Sequence, residues 1–335
     1  MGTKKITRPK EALLEQAFKL FINWRHHEIP DWPTVRRFRA EARDGVSVFG
    51  WGHCPDTDPK GSLLFLHGFT GNSGCEHLWG YAREISERYD FAVGACDFRH
   101  HGMSDDALPT FGMAESWDIE AVLELAETNG FPRPYVLFGE SLGAMAAQVS
   151  AATNPKVDAA FLMAPPAWPW QAIDHCIGHS LECAIRLPEE LDRLVSPLRK
   201  LLKGAGLGVC DTINVHYSER QKKILDSGCL FNHDCSPAHA PLVLYLMGTH
   251  DEYGIEHTRK VWGHWYKEES ARLNASPSEA PNQKKWMIEV DGAGHPGVCD
   301  YSPYQWEGFF PLFDDFIDTV MARKGQAYLR KFSVG

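Results

Sequence analysis

The chain has 335 residues, 44% of them hydrophobic and 23% charged, and its 34 Lys and Arg against 44 Asp and Glu leave a formal net charge of −10. That balance belongs to an ordinary folded chain rather than a disordered one, and the net negative field, with no dense basic run to offset it, excludes nucleic acid as a partner. Nine cysteines, an odd number without a C-x-x-C pair, fit reduced thiols and a cytoplasmic location better than a disulfide framework.

The start, Met1-Gly2-Thr3-Lys4-Lys5-Ile6-Thr7, is charged with no apolar stretch behind it, so no secretory signal is expected. Ile6 stands where a myristoylation pattern wants Ser or Thr. No run reaches the roughly 18 apolar residues of an integral membrane segment. Residues 9 to 28 place Leu14, Phe18, Phe21 and Ile22 on one stripe, the pattern of an amphipathic helix. This helix falls in an extension of residues 1–33, and its apolar face would pack on the core or on a second subunit, which leaves a homodimer open.

Thr34 to Ala42 and Val46 to Gly52 flank Asp44-Gly45, a hairpin signal. Ser62 to Leu66 reads as a buried strand ending in His67-Gly68-Phe69-Thr70-Gly71. Helices are expected at about 76 to 89, 115 to 129 and 141 to 153, alternating with strands at 91 to 97, 134 to 140 and 157 to 164. Such alternation predicts an α/β fold with a mostly parallel central sheet covered by helices on both faces.

Residues 167–240 then form a connection far longer than the roughly 2 to 6 residues usual between a strand and a helix. Its leucine stripe, Leu191, Leu194, Leu198, Leu201 and Leu202, is enough to seat an inserted helical cap over a cleft. The core resumes as residues 241–335, completing the part begun at 34–166. Here Pro241 to Gly248 is a strand followed by Thr249-His250-Asp251. A second enlargement, 252 to 283, reads as a helix carrying Val261, Trp262 and Trp265 and then a polar loop that contains the sequon Asn274-Ala275-Ser276. The last strand, Lys285 to Val290, runs into Asp291-Gly292-Ala293-Gly294-His295, and a helix at about Tyr304 to Arg323 closes the chain.

The chemistry concentrates at Gly139-Glu140-Ser141-Leu142-Gly143, which lies between the apolar run ending at Phe138 and the small-residue helix from Ala144. Strand, sharp turn and helix in that order form a nucleophile elbow, which exposes a serine oxygen above the sheet and leaves room only for hydrogen at the two glycines. Ser141 is therefore the candidate nucleophile. Asp251 at the end of its strand is the candidate acid, ahead of Glu252 and Asp291, and His295, the histidine that follows the last strand, is the candidate base.

These five segments together resemble the α/β-hydrolase superfamily over most of residues 34 to 325, and the order serine, aspartate, histidine is that superfamily's order. Residues 67 to 71 and 139 to 143 are particularly similar to carboxylesterases and monoacylglycerol-lipase-like enzymes. The resemblance implies an oxyanion hole formed by the backbone N–H groups of Phe69 and Leu142, with His67 bracing its loop. It further implies a serine hydrolase, free of cofactor and metal, acting on a small-molecule ester or lactone. Thioester hydrolysis, carbon–carbon bond hydrolysis and acyl transfer use the same triad, and a non-catalytic ligand receptor can keep the same fold. Arg99-His100-His101-Gly102-Met103-Ser104 looks like the family's Asp-x-Arg-Gly-x-Gly-x-Ser turn, but His100 replaces a glycine, so the turn is expected either to bend differently or to present an imidazole at the pocket mouth. Trp168 and Trp170, just inside the cap, are candidates for the pocket wall beside His100. His175 and His179 stand one helical turn apart but lack the H-E-x-x-H form of a zinc site.

Overall fold

In a computed structural model, the described residues are 32, 34–107, 109–110, 112–166, 241–251, 274–282, 284–295 and 308–323. The N-terminal helix, the cap with Trp168, Trp170, His175 and His179, and residues 252–273 lie outside them.

Eight strands form one sheet: β1 (Arg36–Glu41), β2 (Ser47–His53), β3 (Ser62–Leu66), β4 (Ala92–Cys96), β5 (Tyr135–Glu140), β6 (Val157–Met163), β7 (Leu242–Gly248) and β8 (Lys285–Val290). Their spatial order is β1-β2-β4-β3-β5-β6-β7-β8. β1 pairs antiparallel with β2 and β2 with β4, and every other neighbour is parallel. Four described helices cover the sheet: α1 (Glu76–Tyr89), α2 (Glu115–Thr128), α3 (Leu142–Thr153) and α4 (Phe309–Arg323). The expected mostly parallel sheet with helices on both faces is therefore present.

The central strands are buried end to end, which explains why they read as continuous apolar runs rather than alternating ones. Alternation still decides which face each side chain serves. Leu63, Phe65, Val136, Phe138, Phe161 and Leu244 face α1 and α4, whereas Leu64, Leu66, Leu137, Leu162 and Tyr245 face α2 and α3. On the first face the Phe138 and Phe161 rings stack at 5.4 Å, with Phe309 and Phe313 set edge-on at 5.8 and 5.1 Å from Phe161. Each such ring contributes roughly 2–3 kcal/mol through burial and somewhat more through its edge-to-face contacts.

Strand order fixes the place of the site. β3 sits between β4 and β5, so the chain leaving β3 passes through α1 on one face while the chain leaving β5 enters α3 on the other. The two exits diverge and leave a crevice at the carboxyl ends of β3 and β5, where open α/β sheets hold their ligands.

Candidate active site

Ser141 follows β5 directly and opens α3, with φ of 49° and ψ of −112°. Positive φ on a residue with a Cβ is costly, of the order of 1–3 kcal/mol, and persists only where the surroundings over-determine it. Here the Ser141 N–H donates to the Met163 carbonyl at 2.9 Å, and the Ser141 carbonyl accepts from the Met145 N–H at 3.0 Å. The close approach of backbone to backbone is visible at the flanking glycines. A Cβ on Gly139 would lie 2.5 Å from the Gly143 carbonyl oxygen, and one on Gly143 would lie 2.1 Å from that of Leu66.

Although it occupies the N-cap position, the Ser141 side chain makes no capping hydrogen bond. Its hydroxyl instead lies 2.9 Å from His295 Nε2. On the far side of the ring, His295 Nδ1 is 3.1 Å from Asp251 Oδ2. A carboxylate only accepts, so Nδ1 carries the ring proton and Nε2 accepts from the serine O–H. Relative exposures of 8%, 6% and 1% for Ser141, His295 and Asp251 keep water from competing for these bonds.

Residues 154 apart in sequence meet because β7 and β8 are neighbours and their trailing loops are joined. The Thr249 N–H donates to the Val290 carbonyl at 3.0 Å and the His250 N–H to that of Ala293 at 2.9 Å. Thr249 Oγ1 accepts from the Gly292 N–H at 2.8 Å and donates to Asp291 Oδ1 at 3.2 Å. Asp291, the rival carboxylate, is thus exposed and spent on Thr249, while Glu252 lies outside the described residues.

In-register pairing of Leu66 with Gly139 sets the loop after β3 alongside the elbow. The Gly71 N–H donates to the Gly68 carbonyl at 3.0 Å, closing a turn in which Thr70 holds a φ of 79°. A β-branched residue at that φ is an outlier that no sequence signal announced. His67 braces this loop with both nitrogens: Nδ1 donates to the Gly68 carbonyl at 2.8 Å, and Nε2 accepts from the Phe98 N–H at 3.0 Å. Phe69 follows in the same turn and is 8% exposed. Leu142 is the first residue of α3, so its N–H is one of the donors a helix leaves unused at its start, and the positive end of the helix dipole points the same way.

Sequence reasoning passed over the partner of Glu140. Its carboxylate, 4% exposed, accepts from His77 Nε2 at 2.9 and 3.0 Å and from the Gly68 N–H at 3.2 Å. Burial by itself would raise this carboxyl, but the charge and hydrogen bond of His77 together with the Gly68 N–H hold it below its ordinary value.

His100 keeps the left-handed conformation that glycine would have supplied, with φ of 68°, and its ring is 4% exposed and 3.8 Å from the Asp106 carboxylate. The turn is set by Asp97, which accepts from the Ser73 N–H at 2.6 Å and the Met103 N–H at 2.7 Å. A cleft of about 750 Å³ opens elsewhere, beside Thr34, Phe38, Phe131 and Tyr135. It lies at the amino ends of β3 and β5, away from Ser141. Among the described residues no group of three or more His, Cys, Asp or Glu is arranged to hold a metal ion, and no helix is long and apolar enough to cross a membrane.

The model of the alpha/beta hydrolase family matches residues 63–306. Comparison with curated proteins gives no match. Among solved structures, an esterase of Pyrococcus furiosus aligns with a TM-score of 0.59 at 17% identity, covering 89% of this chain and 96% of its own. An alpha/beta hydrolase of Penicillium sp. sh18 gives 0.55 at 16% identity over 86% and 99%. A cold-adapted esterase from an Arctic intertidal metagenomic library gives 0.52 at 17% over 86% and 97%. At these identities the likeness is one of fold.

Proposed function

Because the chain belongs to the alpha/beta hydrolase family, we propose that it is a serine hydrolase that cleaves a carboxylic ester or lactone with an apolar or aromatic part. The single observation that carries this reading is the line of hydrogen bonds from Asp251 through His295 to Ser141, at 3.1 and 2.9 Å. A serine hydroxyl is a weak nucleophile until a base takes its proton. His295 Nε2 accepts that proton as Ser141 Oγ attacks the carbonyl carbon, and Asp251 fixes the tautomer and balances the imidazolium without being protonated itself.

The carbonyl oxygen, now carrying negative charge, is received by the N–H groups of Phe69 and Leu142. Such donors are worth about 3 kcal/mol each because they are oriented before the charge appears. His295 then returns the proton to the departing alcohol, and a water that it activates releases the acid from the acyl-enzyme. Trp168 and Trp170 are assigned to the apolar wall on the strength of their position in the sequence, with His100 beside them.

A fluorophosphonate probe tests the reading on the full-length protein. Labelling of Ser141 at one equivalent, lost in Ser141→Ala together with hydrolysis of p-nitrophenyl esters, is the expected result. An unlabelled, folded wild-type protein would refute it. Turnover of acyl thioesters or diketones with a dead ester panel would move the substrate to one of those classes while leaving the nucleophile in place.

A further inference from the structure

The elbow carries an unusual neighbour for a site that must stabilise negative charge. Glu140 is the last residue of β5, directly before Ser141, and its buried carboxylate is ionised next to the place where a reacting carbonyl oxygen turns anionic. Like charges at such distances repel strongly in a water-poor interior, so this carboxylate must be held and its field opposed.

Two donors do so. The Gly68 N–H belongs to the residue before Phe69, and His77 is the second residue of α1, with its side chain 33% exposed. Gly68 is packed so closely that a Cβ there would lie 3.5 Å from Ser141 Cβ and 3.7 Å from Glu140 Oε1. One carboxylate thus spans the end of β5, the turn after β3 and the start of α1. Only an acceptor with two oxygens can serve both donors, since an amide in its place would turn an NH₂ group toward one of them.

Resting on the serine-hydrolase reading above, we infer that Glu140 and His77 are positioning residues of the oxyanion loop. Glu140 anchors the Gly68 peptide so that the next N–H, that of Phe69, keeps its aim. His77 holds the carboxylate in that orientation from the solvent side and offsets its charge. Neither residue touches substrate.

The experiment uses wild type, Glu140→Ala, Glu140→Gln and His77→Ala, with steady-state kinetics on the best p-nitrophenyl ester. Each is also titrated with an alkyl trifluoromethyl ketone. Ser141 Oγ adds to that ketone carbon as its proton passes to His295 and the C=O electron pair moves to oxygen, so the adduct reports the oxyanion hole directly. Endpoint fluorophosphonate labelling counts intact sites. The expected result for Glu140→Ala and His77→Ala is one equivalent of labelling, little change in KM, and kcat lower by roughly tenfold or more, short of the 10²–10³ that deletion of a donor brings. Ketone affinity should weaken by the same factor. Glu140→Gln, which can still accept from Gly68, should fall between these variants and wild type.

Wild-type kcat and ketone affinity in both alanine variants would overturn the inference, as would a loss of activity that tracks only the loss of labelled sites. His77→Ala, altering a part-exposed side chain, keeps the test open where Glu140→Ala folds poorly. Failure of wild type to label would instead sink the hydrolase reading itself.

Discussion

Gly143→Ala should damage stability and reactivity together, and the size of the effect follows from the contacts. The new methyl carbon would sit 2.1 Å from the Leu66 carbonyl oxygen, 2.5 Å from the Leu66 carbonyl carbon and 2.9 Å from the His67 carbonyl oxygen. A carbon and a carbonyl oxygen ordinarily stay about 3.3 Å or more apart, so relief requires α3 and β3 to separate by more than about 1 Å. Both neighbours are backbone within the sheet and its exit, and neither can rotate away. Overpacking of this kind costs about 1–3 kcal/mol and more where backbone must move, and an error of about 1 Å in the placement of reacting groups costs about 10²-fold in rate. Gly130→Ala is the control. Gly130 has a φ of 76°, but an added methyl there would meet no atom within 4 Å, so only the left-handed strain of about 1–2 kcal/mol applies. Urea denaturation and the rate of fluorophosphonate labelling are measured on both. If Gly143→Ala matches Gly130→Ala in stability and labels at the wild-type rate, the elbow does not depend on the contact.

Asp251→Asn should leave the fold intact but reduce ester turnover on the order of 10⁴-fold, the scale set by loss of the correct histidine tautomer in serine proteases; stopped assays at fixed pH would detect it. Acid should weaken the fold through His101, which burial, with smaller effects from His67 and His100, holds well below its ordinary 6.5. The unfolded chain takes the proton near that value and the folded one resists it. Stability is therefore full above pH 6.5 and falls as the pH drops, by at most about 1.4 kcal/mol per unit, and urea titrations between pH 7 and 5 should show a shallower slope in His101→Gln. Asp314→Ala should cost about 2–3 kcal/mol in the same assay. It strands the Arg88 guanidinium, bonded at 2.9 and 3.1 Å, and the buried hydroxyl of Tyr89, which donates to the same carboxylate.

The fold was legible because its strands announce themselves by composition. Ser62–Leu66, Tyr135–Glu140 and Leu242–Gly248 are buried on both faces, and a run such as Leu242-Val243-Leu244-Tyr245-Leu246 has no other soluble use at that length. The elbow was legible too, since the steric argument for Gly139 and Gly143 needs only local geometry. What escaped the sequence is polar and non-local. Nothing in the spacing of Glu140 and His77, 63 positions apart, marks them as partners, because a single carboxylate–imidazole contact has no period. The same holds for Arg99, which donates to Asp118 and Asp44 at 2.7 Å from deep in the fold. Thr70 escapes for a different reason: its positive φ is imposed by the turn around it, against its own preference. The left-handed His100 is visible in the sequence only as a departure from glycine, and its conformation shows that the turn's path is dictated by Asp97 rather than by the residue at that position.

The stitching between the loops after β7 and β8 lies wholly on the strand side of Asp251 and His295: Thr249 to Val290, His250 to Ala293 and Gly292 to Thr249. Acid and base therefore travel as one prefabricated unit whose internal geometry is closed before the chain continues. Segments of any length or composition can be grafted immediately downstream of either residue without retuning the proton relay, and the chain does in fact expand after Asp251. A scaffold wired in this way can revise what it admits while leaving untouched how it reacts.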